Sequence, residues 1–568
     1  MAFIATMLVL FMVMAIVLIG LAYKGSGNNG AGLMGTVNNS VQSSSTRMQS
    51  ASAFDLAESG IEYAAEWLSE QPSPPDPFNG KSFCPWNSNN QWNSLPSNAS
   101  ATSRASVNFG TGAFSLMIYP DQANYNNTSN DMAYLIESVG TANGMTQTLQ
   151  AYIQQTNFGH YAYFTNFDPS NGYWVVGLNS FNGPMHSNDT NNNGSSFTPT
   201  NILWYNNKTT TPMFQYLGSD AYTVSAPTIN WNKNTIGTTG SPTSSTDWGN
   251  VAAGGSNSVH TGTAIVPLPT SSSLQMNAAL GGTTAPTTIG ATVPNSNGAA
   301  IGGIYVHGQA TSMTLSVTNS TTQVITITQT DSSIIGANKT VTTTVTINQS
   351  TDQTTVATQK GTPPVTTTNT YSGTTNGVVY ADSSIGAGNS GSTTNSAGTL
   401  GLSGNIADNY VDGNGVTHYW GMTVATPATG FINIDGPLKF NTARNGNNAA
   451  TADATLGLVT GNAWVDQKDA SNNNLSNVEI DGAVLAYNSF QAYNYGEGFT
   501  GTFTILGSYI AGQAGIFGEV DMSGNLLAGL AEHYLYDPRL GTRPPPFFPT
   551  TGNNYTVISW KAVNATIQ

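Results

Sequence analysis

Two aspartates are the side chains whose spacing most resembles an acid–base pair. Asp435 and Asp481 each precede a glycine in similar segments, IDGPL (434–438) and IDGAV (480–484). If these segments are coils two strands apart, the carboxylates stand roughly 10 Å apart on one face, slightly farther than in inverting glycosidases. The structural alternative is an aspartate that bonds the local backbone of a turn. The sequence favours the turn, because no basic pair that could bind a substrate carboxylate lies nearby. We therefore expect no enzyme and name no catalytic residue.

A metal site has a weaker pattern. Asp189, Asn191 and Asn193 alternate before Gly194, as in the first half of a calcium loop. The glutamate that would close such a loop is replaced by Thr200. The six histidines are scattered without the spacing of zinc ligands. The sequence favours an Asn-rich turn at 189–194, with calcium as the alternative, and we expect no other cofactor.

Aromatic residues give the best indication of a binding surface. Flat rings can stack on sugars or on bases, although packing in a core is the commoner role. The chain carries a net charge of −15 with 14 Lys and Arg, so glycan or surface binding is favoured over nucleic acid on charge alone. The ligand stays open between a glycan, a surface and DNA. The candidate ligand contacts are Tyr419, Trp420, Trp464 and Tyr493.

The composition indicates an extracellular protein. Only 8% of the 568 residues are charged, so the polar surface must come mostly from Thr, Ser, Asn and Gln. Cys84 is the single cysteine, which excludes a disulfide within one chain. Several N-x-S/T sequences, such as those at Asn98 and Asn188, leave glycosylation open.

A long N-terminal helix must position everything that follows. Residues 1–24 carry no charge before Lys24, and 23 helical residues would rise roughly 34 Å, enough to cross a bilayer core. A signal peptide, the alternative, would start with basic residues and have a shorter apolar run. From Met48 an amphipathic pattern continues until SPPDP (73–77), which predicts a helical region over 1–72 with 1–24 in a membrane or filament core. The expected assembly residues are Phe3, Leu8, Leu10, Phe11, Ile16 and Leu18, and the residues that dock the helix on a sheet are Phe54, Ala57, Ile61 and Leu68.

Two β-rich regions follow the helix. Residues 73–170 predict an antiparallel sheet, with a hairpin around TANG (141–144). Residues 171–545 contain short segments centred on glycine and flanked by β-formers, with spacings in the twenties that are typical of β-solenoid coils. Alternating segments predict an inserted hairpin at about 310–370, and residues 532–549 are expected to cap one end. Residues 546–568 predict a last strand that returns to the first sheet.

The chain resembles the type IV pilin superfamily. The resemblance rests on AFIATMLVLFMVMAIVLIGLAY (2–23) and FDLAESGIEYAAEWL (54–68), which are similar to PilX-like minor pilins. FNGPMHSN (181–188), the glycine-centred repeats and LYDPRLGTRPPPFFP (535–549) are similar to ComZ-type large minor pilins with a β-solenoid. The resemblance implies an α+β pilin domain, in which a long hydrophobic helix lies on an antiparallel sheet, joined to a large all-β solenoid. Major pilins usually carry a glutamate at the fifth mature position, where this chain has Ala5 and Thr6.

The resulting hypothesis is a structural and interaction protein. Its partners are expected to be other pilin subunits, through the N-terminal helix, the pilus assembly machinery, and the inner membrane before assembly. Its location is then a cell-surface filament, with a role in adhesion or DNA uptake. Two alternatives stay open: a membrane-anchored or secreted β-helix enzyme that acts on polysaccharides, and the main shaft subunit of the filament.

Overall fold

A computed structural model describes most of the chain. The described residues are 33–69, 105–120, 133–168, 173–175, 179–189, 202–205, 211–233, 240–319, 321–386, 400–411, 413, 417–418, 420–442, 454–468, 473–493, 495–496, 498–521 and 525–563. Strands dominate these residues, and they divide into two compact units. Unit 1 takes in residues up to 121, 133–154 and 555 onward, and unit 2 takes in 122–132 and 155–554.

The elements are numbered along the chain within the described residues. The helices are α1 (Leu33–Ser69), α2 (Ser245–Val251), α3 (Ser273–Leu280) and α4 (Arg539–Thr542), with 3-10 turns at Phe158–His160 and Ser256–Ser258. The strands are β1 (Ala105–Phe109), β2 (Gly112–Pro120), β3 (Ala133–Ala142), β4 (Met145–Asn157), β5 (Tyr163–Phe167), β6 (Tyr173–Val175), β7 (Ser180–Asn182), β8 (Met185–Ser187), β9 (Ile202–Tyr205), β10 (Tyr222–Val224), β11 (Asn230–Lys233), β12 (Val259–Thr261), β13 (Gly290–Thr292), β14 (Asn295–Ser296), β15 (Ala299–Ala300), β16 (Ile304–His307), β17 (Ala310–Asn319), β18 (Thr322–Thr330), β19 (Thr340–Asn348), β20 (Gln353–Lys360), β21 (Val365–Ser372), β22 (Val378–Ala381), β23 (Leu402–Ile406), β24 (Tyr410–Val411), β25 (Thr417–His418), β26 (Gly421–Ala425), β27 (Phe431–Phe440), β28 (Thr455–Asp466), β29 (Asn477–Tyr493), β30 (Thr500–Ala514), β31 (Gly518–Val520), β32 (Leu526–Leu535) and β33 (Thr550–Val563).

Unit 1 consists of α1 and an antiparallel sheet. Among the described residues the sheet has five strands in the order β1-β2-β3-β4-β33. Asn143 and Gly144 both have positive φ, which gives the β3–β4 hairpin a turn that matches the twist of its strands. The C-terminal strand β33 lies beside β4, at the edge of this sheet. The sequence predicts a returning strand over 546–568, and this is the position that β33 occupies.

Unit 2 is built from three parallel ladders of strands, which we call ladders A, B and C. Ladder A has the order β12-β10-β8-β5-β30-β29-β28-β26-β22-β16. Ladder B has the order β7-β32-β30-β29-β27-β23-β17. Ladder C contains the first half of β27 and the second halves of β28, β29 and β30. Strands β6, β9 and β11 form a separate parallel sheet of three strands among the described residues, in the order β6-β9-β11. Strands β28, β29 and β30 each bend from one ladder to the next, so the chain winds through all three ladders.

The order of the strands within ladder A differs from their order along the chain. A first run, 163–261, begins in the middle of ladder A at β5 and ends at β12. Residues 262–303 then lead to β16 at the opposite end, and a second run, 304–535, returns towards β5. The runs join where Tyr163 pairs with Tyr509 and Phe181 pairs with Tyr534. We call these pairings of β5 with β30 and of β7 with β32 the seam.

Segments that follow each run cover the outer face of ladder A. The amide of Asn188 accepts a hydrogen bond from the Val266 N–H (2.8 Å), which holds the segment after β12. Farther along, α3 packs against β16, β22 and β26. The C-terminal segment reaches the same face, because the Gln275 side chain donates to the Phe547 carbonyl (2.6 Å). Residues 532–549 therefore do not cap an end of the stack: β32 lies between β30 and β7, and the part after α4 lies along a side.

The insertion is larger than a hairpin. Strands β17 to β21 form an antiparallel meander in which each strand pairs with the next. The predicted hairpin at 310–370 is thus five strands among the described residues. The extra pair, β20 and β21, is so rich in threonine that its alternation of apolar and polar residues is weak.

Candidate functional site

The contact between α1 and its sheet is the best-defined candidate for an assembly element. Ala57, Ile61 and Leu68 are buried, and Phe54 packs against the same cluster while its ring meets Trp560 at 5.9 Å. These positions recur at the helical period, so one stripe of α1 faces the sheet. The sheet supplies Phe114, Leu116, Ile118, Tyr134, Ile136, Leu149, Ala151 and Ile153.

Glycines set the distance between helix and sheet. A β-carbon on Gly140 would collide with the backbone of Ala53 and Ala57 in α1. On the helix side, a β-carbon on Gly60 would collide with the Ser138 hydroxyl. The absence of both side chains lets the two backbones approach closely.

The solvent side of α1 is acidic. Asp55, Glu58, Glu62 and Glu66 are exposed along it. Within the helices that the structure describes, none is both long and apolar enough to cross a membrane. The predicted assembly residues Phe3, Leu8, Leu10, Phe11, Ile16 and Leu18 all lie outside the described residues.

The predicted ligand aromatics are in the interior. Trp420, Trp464 and Tyr493 are 7%, 6% and 3% exposed. Trp464 packs between Phe431 and Tyr493, with ring centroids 4.6 and 6.3 Å away. A ring that is covered in this way has no face left for a sugar or a base, so these three residues are corrected to packing residues. Tyr419 lies outside the described residues.

The two aspartates do not occupy equivalent positions. Leu438 pairs with Ile480, so Asp481 lies near the end of β27 rather than opposite Asp435. Each carboxylate accepts a backbone N–H from a distant segment of the chain: Asp435 from Gly401 (3.0 Å), and Asp481 from Phe440 (3.2 Å). The aspartates thus join neighbouring segments, rather than closing the local turns that the sequence suggests.

The calcium pattern is only partly described. Asp189 is buried, and its N–H donates weakly to the Ser187 hydroxyl (3.4 Å). Asn191 and Asn193 lie outside the described residues. Among the residues that the structure describes, no group of three or more His, Cys, Asp or Glu is placed to hold a metal ion.

The seam contains a partly buried carboxyl group that the sequence pattern does not single out. Glu532 accepts hydrogen bonds from the Tyr534 hydroxyl and from the Asn179 amide (2.8 Å). Burial raises the pKa of Glu532 to about 7, although both hydrogen bonds favour the charged form. Beside it, His533 Nδ1 and the Ser180 hydroxyl are hydrogen-bonded at 2.8 Å. These side chains come from β32 and from the start of β7, so they join the two runs.

Aromatic rings stack through the seam at the strand spacing. Tyr163 stacks on Tyr509 at 4.7 Å, and Tyr509 on Phe490 at 4.8 Å. Phe181 stacks on Tyr534 at 4.9 Å. Tyr163 and Tyr509 are paired in register, as are Phe181 and Tyr534, and parallel strands place such partners about 4.8 Å apart, which is suitable for stacked rings. Phe490 is not the register partner of Tyr509, which pairs with Val484, so this stack forms between different register positions.

The far end of the first run carries an ion pair among aromatic rings. Lys233 Nζ lies 2.8 Å from Asp247 Oδ1, and this hydrogen bond lowers the pKa of Asp247 to about 2. Trp231 and Trp248 meet edge to face at 5.9 Å beside it. Asp247 belongs to α2, so the pair fixes that helix to β11.

Comparisons with known proteins identify no family for the chain and one weak structural similarity. No family model matches the chain, and no curated protein matches it. Among solved structures, the crystal structure of the competence-associated pilin ComZ from Thermus thermophilus aligns over 91% of this chain and 97% of that chain, with a TM-score of 0.30 and 11% identity. The similarity extends over nearly the whole length of both chains, at values too low to transfer a fold or a function.

Proposed function

We propose that the chain is a pilin-like subunit of a type IV pilus-type extracellular filament. The observation that carries this proposal is α1, a helix of 37 residues that buries one stripe on an antiparallel sheet. In sequence, the apolar residues 1–24 precede this helix, and residues 25–32 lie between them. An apolar segment followed by a docked amphipathic helix suits a subunit that bundles through its N-terminus and carries a folded unit outside.

The assembly step follows from the apolar segment. Before assembly, residues 1–24 are held in the inner membrane, and the assembly machinery moves the subunit into the filament. There Phe3, Leu8, Leu10, Phe11, Ile16 and Leu18 pack among the helices of other subunits. The filament core keeps these side chains out of water when the subunit leaves the bilayer, and exposing them instead would cost roughly 1.5 to 3 kcal/mol each.

The displayed part is a β-solenoid in this proposal. Its support is the register of ladders A, B and C, in which strands from successive coils pair in parallel. A stack of this kind is stiff, because every coil is hydrogen-bonded to its neighbours. Its low charge suits contact with a glycan or a solid surface, and DNA capture remains the other role under this proposal.

Substitution in the apolar segment tests the filament proposal. Leu10→Asp and Ile16→Asp place a charge among packed helices, so we expect both variants to be lost from sheared filaments. Leu10→Ile is the matched control and should be incorporated normally. Circular dichroism should report an unchanged β content in all three variants. Normal incorporation of the aspartate variants would refute the proposal.

The alternatives make different predictions. A polysaccharide-active enzyme requires that Asp435→Ala and Asp481→Ala abolish a measured activity on polyuronides. The hydrogen bonds of both carboxylates to backbone amides of other coils favour a structural role instead. A main shaft subunit would be present at one copy per helical step of the filament, which copy counting distinguishes from a minor subunit.

A further inference from the structure

Strand β21 is an open edge of the inserted meander. It pairs along its full length with β20, from Gln353–Ser372 to Lys360–Val365. On its other side, within the described residues, the recorded pairing is the single contact between Ser372 and Ala299. The side chains of Val365 to Thr370 are all exposed, and Val365 is 63% exposed. The edge is therefore accessible over most of its length.

Backbone groups on this edge point away from β20. The Ser372 N–H donates to the Gly298 carbonyl (2.9 Å), which fixes the outward direction at that residue. Because directions alternate along an antiparallel strand, Thr366, Thr368 and Thr370 also direct their N–H and C=O groups outward. Natural edges are usually blunted by a charge, a proline or a bulge. The strand VTTTNTYS has none of these between Val365 and Ser372.

The edge is complementary to itself. If two copies pair in antiparallel about Thr368, Thr366 faces Thr370 of the other copy, and these outward-directed residues provide about six hydrogen bonds. On the opposite face, Val365 of one copy meets Tyr371 of the other. A cross-strand pair of a β-branched and an aromatic side chain stabilises a sheet by a few tenths of a kcal/mol to about 1 kcal/mol.

Charge selects the same orientation. At the Val365 end of the edge, Val365 pairs with Lys360, and Lys339 and Asp331 lie at the same end of the meander, next to β18 and β19, so this end has one excess positive charge. The Ser372 end lies beside Asp352, whose carbonyl accepts the Gly373 N–H (2.7 Å). Antiparallel pairing brings the positive end of one copy to the negative end of the other, whereas parallel pairing would align like charges.

We propose that β21 is a self-association edge, through which a second copy of this chain extends the meander into one continuous antiparallel sheet. The pairing is two-fold symmetric about Thr368, and it joins two copies through their meanders. It rests on the geometry and charge of this edge, so it stands or falls independently of incorporation into a filament.

A proline at the two-fold axis tests the proposal. Thr368→Pro removes the outward N–H but leaves the pairing with β20, because proline is tolerated on an edge whose N–H faces solvent. In sedimentation velocity of the full chain in detergent, we expect association at least tenfold weaker. Thr368→Val keeps the N–H and the branched shape, and should associate within about threefold of the wild type. A monomeric wild type, or equal association of the proline variant, would overturn the proposal.

A disulfide test identifies which residues of the two copies face each other. It also avoids the proline substitution, which could weaken association by impairing folding. In a Cys84→Ser background, Thr367→Cys together with Asn369→Cys puts thiols on directly opposite residues of two copies. Such non-hydrogen-bonded pairs have Cα atoms about 4.5 Å apart, within the range of a disulfide. We expect a covalent dimer on mild oxidation, and none when Thr366→Cys replaces Thr367→Cys. Equal cross-linking of both pairs, or binding of an unrelated extended peptide without dimers, would contradict the proposed pairing.

Discussion

At the residue scale, single atoms at close contacts decide how the elements meet. Gly140 lies where β3 passes under the backbone of α1, so its missing side chain is a condition for helix docking. Glu532 shows a different constraint, since burial at the seam favours its neutral form. Asp435 and Asp481 give a third case, in which a carboxylate accepts a hydrogen bond from the backbone of a distant segment.

Enlarging Gly140 should separate helix and sheet. In Gly140→Val, the new side chain collides with the backbone of Ala53 and Ala57, which cannot move without displacing α1. We expect a loss of roughly 3 kcal/mol in the free energy of unfolding of unit 1, measured by chemical denaturation. Thr141→Val, at the exposed neighbouring position, should change it by less than about 0.5 kcal/mol. Equal stability of the two variants would contradict this role for Gly140.

The carboxyl group of Glu532 should make stability depend on pH. Its folded-state pKa of about 7 lies above the ordinary 4.5, so the folded chain binds this proton more tightly than the unfolded chain does. Its contribution is complete below the ordinary pKa and is lost as the pH rises through 7, to a total of roughly 3 kcal/mol. Glu532→Gln imitates the neutral form, so the wild type should lose stability relative to this variant between pH 5 and pH 8. Parallel stability profiles for the two proteins would show that the group is not buried as described.

At the element scale, the order of strands matters more than their number. The second run ends beside the start of the first, so β5 lies between β8, which is nearby in sequence, and β30, which is distant. The aromatic stack of Tyr163, Tyr509 and Phe490 fills this junction. Tyr509 also donates its hydroxyl to the Phe490 carbonyl (2.7 Å) and accepts the Gly515 N–H (3.2 Å).

Removing the Tyr509 ring should open the seam selectively. Tyr509→Ala deletes two stacking contacts and leaves a cavity, with an expected cost of about 3 to 5 kcal/mol. Hydrogen exchange at the amides of β5 should then accelerate more than exchange at β17 to β20. Leu527→Ala, at a side chain 56% exposed, is the control and should leave exchange unchanged. Uniform acceleration across unit 2 would indicate that the two runs do not separate at the seam.

Local patterns anticipate some of these elements and not others. The helical period marks Ala57, Ile61 and Leu68, because burial on one side of a helix leaves a direct trace in sequence. Asn143–Gly144 marks the hairpin for a similarly local reason. The pairing of Tyr163 with Tyr509 leaves no such trace, since any β-forming segment fits a parallel ladder. The glycine-centred repeats also do not give the strand register reliably. Gly482 pairs with Gly507, the glycine of another repeat. Gly404 instead pairs with Leu438, because the register shifts between Leu402 and Gly404.

Burial of the aromatic candidates could not be read from the sequence either. The residues next to Trp420 (Tyr419 and Gly421) and next to Trp464 (Ala463 and Val465) do not show whether the rings are covered, and tertiary packing is what buries them. The ion pair of Lys233 and Asp247, and the carboxyl of Glu532, depend on contacts between distant segments. Such groups can be identified only when the three-dimensional arrangement of these distant segments is known.

At the scale of the whole molecule, the proposed function gives the two units different tasks. Unit 1 joins a helix to a sheet, and the proposal assigns assembly to the helix and to the apolar residues before it. Unit 2 pairs strands in parallel ladders, and the proposal assigns display to this unit. In the proposed pairing, the open edge of β21 is the route by which two copies associate.

The most direct test of this account is quantitative mass spectrometry of filaments sheared from cells that produce the protein and purified away from membranes. The account predicts that the chain is present, that peptides from residues 1–24 are recovered with peptides from unit 2, and that its copy number lies well below that of the shaft subunit. Absence of the chain from purified filaments, with recovery in the membrane or in the free secreted fraction, would contradict the central claim.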